Sequence, residues 1–276
     1  MSEEQPAIGS HLLGAPAAQE VPQKFRLREV QDYYLSGDEE SLSEAGQALY
    51  ASIRDRALAN AEPTQVGSPT VYFTGGLPGS GKGQILDKME ANGGFVLIDP
   101  DHIKHDIMAD LARKNPQLRE AMQNDREWGT VVHWTSSLMA KQLMLDALET
   151  GADLVFDSSM STPDQARYHE FASKARSQGY RVNALICDVR LEKSIERSEK
   201  RAQKPVEVEV EGADSLKLPG RLVTADYIRE CQTRLEHNLF SFRMAGLFDS
   251  MSFYDNNSDG APARLMSDIR PDTKGL

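Results

Sequence analysis

Short apolar runs, each closed by a glycine-rich or polar turn, alternate along most of the chain with longer segments whose apolar positions recur every three to four residues. The runs at residues 71–73, 95–98, 154–156, 182–187 and 251–254 are rich in β-branched and aromatic side chains, as buried strands are. The longer segments predict amphipathic helices over residues 82–90, 102–114, 118–126, 130–149, 163–178, 191–202 and 226–239. Apolar strands joined by amphipathic crossovers predict an open parallel sheet with helices on both faces, a three-layer α/β/α fold. Residues 206–210 alternate acid and valine, which fits a short exposed strand and equally a lid kept in solvent by its acids.

The ends of the chain are less patterned. Residues 1–23 and 257–276 read as tails. Residues 24–62 form a helical extension: Leu27, Val30, Tyr33, Tyr34 and Leu35 suggest one helix, and Leu49, Tyr50, Ile53 and Leu58 another. The extension either caps the sheet or shapes the site, and the pattern leaves both open. A linker rich in Pro, Gly and Ser precedes the main domain at residues 69–256, whose lid is expected near residues 190–222.

Composition narrows the function classes. The chain has 276 residues, enough for one sizeable core with additions, and no apolar run long enough to cross a bilayer. Its start lacks a secretory pattern, and its two cysteines supply neither a disulfide framework nor metal-ligand spacing, so a cytoplasmic, reducing setting is expected. A formal net charge of -11 argues against unspecific nucleic-acid binding, while a few converging cations can still make a local phosphate pocket.

The chemistry begins where the first strand enters Gly75-Gly76-Leu77-Pro78-Gly79-Ser80-Gly81-Lys82-Gly83. Strand, glycine-rich turn and helix in that order read as a phosphate loop, in which backbone N–H groups and the helix N-terminus surround an anion. Gly76, Pro78, Gly79, Ser80, Gly81, Lys82, Gly83 and Gln84 are the candidate nucleotide-binding residues, with Lys82 reaching the β- and γ-phosphates. Gly83 stands where a magnesium-binding Ser or Thr is usual. Gly-Lys-Gly resembles instead the loop of adenylate kinases and related small-molecule kinases, where water completes the magnesium shell.

Two carboxylates follow the second strand, Asp99 and Asp101. An aspartate beside an acceptor alcohol can orient it and take its proton as the phosphorus–oxygen bond forms, and Asp101 is the candidate base. Its competing role is capping the next helix. Asp99 is a candidate for positioning, Asp157 for water-mediated magnesium binding, and Ser159 and Thr162 for substrate contact. Arg197, Arg201 and Arg221 can spread positive charge over a transferring phosphoryl group. His133 and Trp134 are candidates for contact with an acceptor sugar or base, against ordinary helix packing. The scattered histidines predict no structural zinc site, and the implied cofactors are ATP or GTP with Mg2+.

This ordered set resembles the zeta-toxin-like family of phosphate-loop kinases. The matching text is the phosphate loop through Lys82, Ile98-Asp99-Pro100-Asp101-His102-Ile103-Lys104, Val132-His133 with Ser136-Ser137, Phe156-Asp157-Ser158-Ser159, and Arg197 with Gly220-Arg221. The resemblance implies phosphoryl transfer from ATP or GTP to a small-molecule hydroxyl, in the best-known branch the sugar 3-hydroxyl of a UDP-N-acetyl amino sugar. It aligns Asp101 with the proton acceptor, Lys82 with the phosphate lysine, Ser159 with a substrate-contacting threonine, and Arg197 and Arg221 with phosphate-binding arginines, Arg201 more loosely. It also implies a helical antitoxin as partner, a role that residues 24–62 would fill as an intramolecular inhibitory segment. Gly83, Trp134-Thr135 and Ser158 depart from the family pattern. They leave open other acceptors, nicotinamide dinucleotides among them, and a nucleotide-regulated effector with weak or no transfer.

Overall fold

The computed structural model describes residues 30, 33–37, 41–90, 94–124 and 126–270. The tail at residues 1–23 and most of the first predicted helix lie outside the described residues. In chain order the elements are α1 (Glu44–Leu58), β1 (Thr70–Gly75), α2 (Lys82–Glu90), β2 (Val96–Ile98), α3 (Pro100–Lys114), a 3₁₀ turn (Pro116–Leu118), α4 (Arg119–Asn124), α5 (Trp128–Val131), α6 (His133–Leu148), β3 (Leu154–Phe156), α7 (Ala166–Ser177), β4 (Arg181–Asp188), α8 (Leu191–Ala202), β5 (Val206–Val210), β6 (Ala213–Leu218), α9 (Ala225–Met244), β7 (Ser250–Asp255) and β8 (Arg264–Ile269). They divide into two compact units. The first comprises the described residues up to Asp55, Pro100–Lys141 and Ala202–Arg221; the second comprises Arg56–Asp99, Gln142–Arg201 and the described residues from Leu222.

The second unit is a mixed α/β fold around a six-stranded sheet of order β2-β3-β1-β4-β7-β8. Pairing is parallel from β2 to β7. Successive side chains of β1 go to opposite faces, and each face has its own cover. On one, the ring of Phe73 lies 5.8–6.0 Å from those of Phe156, Tyr168 and Phe248, so α7 packs there. Phe242 of α9 joins that aromatic cluster through Tyr168 at 5.3 Å. On the other face Ile85 of α2 packs with Leu185, Cys187 and Ala263, against Tyr72 and Tyr254. Phe73 is fully buried, and burial of such a side chain stabilises by about 1.5–3 kcal/mol.

The sheet departs from the all-parallel expectation at one edge. β8 pairs antiparallel with β7, inside the stretch that reads as a tail in sequence. Its side chains are almost all exposed, so no apolar period marks it. Ala263 just before it is held by α2, its N–H donating to Gln84 Oε1 at 3.2 Å and its carbonyl accepting from Lys88 Nζ at 2.8 Å.

The first unit packs α3 against the N-terminal segment and the β5–β6 hairpin. Tyr34 is fully buried and its hydroxyl donates to Asp110 at 2.7 Å. Arg113 and Lys114 also reach that carboxylate, and Lys114 sits 5.3 Å over the Tyr33 ring. The described part of the extension therefore packs on α3. In the hairpin Val208, Val210, Leu216 and Leu218 are buried while the acids point outward. Arg119 of α4 donates to the Asp214 and Ser215 carbonyls, and the Trp128 indole N–H donates to the Pro219 carbonyl at 3.0 Å. Residues 206–210 are thus the strand of the two alternatives, paired with residues 213–218 in a hairpin whose valines face inward.

Three helix boundaries also differ from the sequence reading. α3 starts at Pro100 rather than near residue 102, because proline's missing N–H is no loss in a first helical turn. The helix expected over residues 130–149 is broken at Val132, which has φ -101° and ψ 7°. The Thr130-Val131-Val132 run is β-branched and stiff, which weakens helix there. α7 begins at Ala166 rather than Pro163, with the Ala166 N–H donating to Asp164 Oδ1 at 3.0 Å.

Candidate active site

In the second unit the β1–α2 loop divides its N–H groups between the fold and solvent. Gly76 N–H donates to the Ser159 carbonyl, Ser80 N–H to Leu77 and Gln84 N–H to Gly81. The N–H groups of Gly79, Gly81, Lys82 and Gly83 have no such partner among the described residues. Those four at a helix N-terminus form an anion-binding concavity. The Gly76, Ser80 and Gln84 amides are thus engaged within the fold. Ser80 is fully buried, with its hydroxyl beneath the loop. No described acidic side chain forms an ion pair with Lys82.

The loop is braced from below. Asn256, 2% exposed at the end of β7, donates through Nδ2 to the Ser80 carbonyl at 2.6 Å, and the Cys187 thiol donates to the same oxygen at 3.1 Å. Burial pushes that thiol's pKa up. Gly81 has φ +89°, and a Cβ there would lie 2.0 Å from Asn256 Nδ2. On the other side α8 comes into direct contact. Ser194 and Ser198 donate to the Pro78 carbonyl at 2.6 and 3.3 Å, and a Cβ on Gly79 would lie 3.3 Å from Arg197 Cβ. Arg197 is thereby placed beside the loop. Its guanidinium pairs with Asp259 at 2.9 Å, and Lys193 pairs with the same carboxylate. Those cations hold the Asp259 carboxyl below the usual carboxylate range, Lys193 contributing most. Arg201 is exposed at the end of α8 and does not join them.

The end of β3 runs beside the start of the loop. The Thr74 hydroxyl donates to Asp157 Oδ1 at 2.5 Å and accepts from Ser158 N–H at 2.8 Å, and Ser158 Oγ donates to the Thr74 carbonyl at 2.6 Å. Ser159 Oγ lies 2.7 Å from Ser161 Oγ. The turn is pinned by Asn238 of α9, whose Nδ2 donates to the carbonyls of Met160 and Thr162, each at 2.8 Å. Met160 is buried with φ +54°, a conformation that needs such support. Thr162 Oγ1 accepts from Asp164 N–H at 3.2 Å, a local turn contact. Asp99 is half-buried at the end of β2.

Magnesium has a limited protein donor set here. One Asp157 oxygen is taken by Thr74, position 83 has no hydroxyl, and the described residues contain no group of three or more His, Cys, Asp or Glu arranged to hold a metal. These donors fit Mg2+ carried mainly on nucleotide phosphates and water. They do not fit an all-protein cage.

In the first unit Asp101 is the second residue of α3, so it does not extend the β2 strand with Asp99, nor does it occupy the cap position. The helix dipole favours its charge. Lys104, one turn on, donates to Asp101 Oδ1 at 2.7 Å, and Arg221 Nη1 lies 3.0 and 3.2 Å from Oδ1 and Oδ2. The Arg221 side chain passes over Gly129, where a Cβ would stand 3.7 Å from its Cδ. The structure thus brings together two sequence-predicted residues, Asp101 and Arg221, and adds Lys104. His133 and Trp134 open α6; both are exposed, Trp134 at 53%. Asn256, Asn238, Asp259 and Thr74 are missed by sequence reasoning because each acts through a partner that only folding supplies.

A sequence profile of the zeta toxin family matches residues 54–261. The chain belongs to the zeta toxin family. It is a zeta-toxin-like kinase, a phosphotransferase of the phosphate-loop kind. No curated protein matches it at a significant level. Among solved structures, the PezAT chromosomal toxin–antitoxin system of Streptococcus pneumoniae is similar over 87% of this chain and 84% of that one, at 17% identity and a TM-score of 0.61. The AvrRxo1-ORF1:ORF2 complex with ATP is similar over 94% of this chain and 74% of that one, at 15% identity and a TM-score of 0.53. At these identities the likeness shows the fold alone. No helix among the described residues is long and apolar enough to cross a membrane.

Proposed function

We propose that this zeta-toxin-family protein has the phosphate-loop kinase form of the NTPase fold and transfers the terminal phosphoryl group of ATP or GTP to a hydroxyl of a small metabolite. The observation that carries the nucleotide half is the loop's set of unspent N–H groups at Gly79, Gly81, Lys82 and Gly83, with Lys82 unpaired to any described acid. Arg197 serves the phosphates beside Gly79, and Mg2+, held by nucleotide oxygens and water with Asp157 outside, neutralises charge on the transferring group. Asp101 accepts the acceptor's proton, and Arg221 keeps its carboxylate in place. Ser159, Thr162, Asp99, His133 and Trp134 are the candidate contacts to the acceptor. The family resemblance favours the 3-hydroxyl of a UDP-N-acetyl amino sugar.

A helical antitoxin is the partner this reading carries, since one structural relative is a toxin–antitoxin system. The buried Tyr34–Asp110 contact supports a scaffolding role toward α3 for the described part of the N-terminal extension. The test is a panel of nucleotide sugars, dinucleotides and other hydroxylated metabolites, incubated with the full chain, Mg2+ and ATP or GTP. Mass analysis is expected to find one acceptor gaining one phosphate. Tight nucleotide binding without transfer to any member would reject the kinase reading and favour a nucleotide-regulated effector.

A further inference from the structure

In the second unit the hydroxyl of Thr74 joins the two strand ends that flank the phosphate loop. β1 and β3 run parallel with Phe73 beside Phe156, so Thr74 and Asp157 are the next pair in that register. Thr74 is buried, precedes the loop, and belongs to none of the stretches that carry the family resemblance. Its single hydroxyl proton goes to Asp157 Oδ1 at 2.5 Å rather than to the Ser158 carbonyl at 2.9 Å, because an ionised oxygen is the stronger acceptor. The same hydroxyl oxygen accepts from Ser158 N–H, and Ser158 Oγ returns a bond to the Thr74 carbonyl. Gly76 N–H donates to the Ser159 carbonyl at 3.1 Å, so the start of the loop is tied to residues 157, 158 and 159 in turn. Among the described residues no cation pairs with Asp157, and Gly83 has no hydroxyl to offer it. The orientation of that carboxylate is therefore set by Thr74.

We propose that Thr74 is a positioning residue that holds Asp157 at a fixed place beside the phosphate loop, where the carboxylate serves the water around nucleotide-borne Mg2+. This rests on Asp157 being the outer Mg2+ contact. Such a contact is sensitive to placement, since Mg2+ demands near-octahedral geometry and gives up its waters reluctantly. A hydrogen-bond partner that orients a metal's carboxylate typically matters by about 10- to 100-fold in metal affinity. Thr74 touches neither nucleotide nor acceptor, because its hydroxyl is spent on Asp157 and Ser158.

The test is the ATP affinity of the full chain, measured by calorimetry in Mg2+ and again in EDTA, so that no acceptor is needed. The gain in affinity that Mg2+ gives the wild-type chain is expected to fall by about tenfold in Thr74→Val, which keeps the side-chain shape, while affinity in EDTA moves little. Thr74→Ser, which keeps the hydroxyl, is expected to restore the gain, and Thr74→Ala reads the same loss if the Val variant does not fold. Adding Thr74→Val to Asp157→Asn is expected to deepen the loss no further, because residues acting as one unit are not additive. Equal losses in both arms mark a merely structural role and overturn the proposal. A gain lost in Asp157→Asn but kept in folded Thr74→Val also overturns it and leaves the Asp157 reading standing. A gain absent from the wild-type chain, or unchanged in Asp157→Asn, overturns that reading, and the role of Thr74 with it.

Discussion

Asn256 Nδ2 donates to the Ser80 carbonyl at 2.6 Å from beneath the phosphate loop, while the same amide nitrogen fills the space where a side chain on Gly81 would stand. One residue at the end of β7 thus fixes both the height and the backbone conformation of the loop. Asn256→Leu leaves a buried carbonyl with only the weaker Cys187 thiol, and is expected to cost about 1–3 kcal/mol of stability. Nucleotide affinity, measured by calorimetry on the folded variant, is expected to fall with it. Gly81→Ala meets both a left-handed φ and the Asn256 amide, so it is expected to cost roughly 1–3 kcal/mol or more and to abolish nucleotide binding. Wild-type affinity in either variant would show that the brace does not shape the loop.

Arg221 reaches both oxygens of Asp101 through one guanidinium nitrogen. Arg221→Lys keeps the charge but ends in a shorter, differently placed donor, so the carboxylate is expected to wander. Misplacement of a reacting group by about 1 Å costs on the order of 100-fold in rate, and a fall of that order in kcat is expected, with nucleotide affinity near the wild-type value. Steady-state kinetics with paired calorimetry check it.

His105 gives the first unit a pH dependence. Burial, then the charge of neighbouring His102, lowers its pKa below the ordinary 6.5, and its ring lies 5.5 Å from Trp128. The unfolded chain therefore takes up a proton before the folded one does as pH falls. Stability from this group is present above about pH 6.5 and is lost below it. Thermal unfolding followed by tryptophan fluorescence is expected to show a lower Tm at pH 5.5 than at pH 7.5. His105→Phe is expected to flatten that difference, and an unchanged difference would assign it to other groups.

Much of the second unit was legible in sequence because its signals are local. The run at residues 71–73 closes on glycines and a lysine, α2 and α8 follow with the predicted bounds, and the interior strands are apolar on both faces. β8 was not legible because its order comes from the β7 ladder and from Gln84 and Lys88 holding Ala263, not from side chains of its own. The hairpin was ambiguous because buried valines alternating with acids describe equally a strand docked on one face and a solvated loop. At the site, Asp101 and Arg221 were recognisable as chemistry but not as neighbours, being joined only by folding.

One comparison tests the proposed base role of Asp101. Nucleotide affinity and phosphoryl transfer are measured on the same folded preparation of Asp101→Asn and of the wild-type chain. An almost unchanged Kd for the nucleotide is expected, with a turnover lower by about 100- to 10,000-fold. Near-normal turnover in that variant would contradict it.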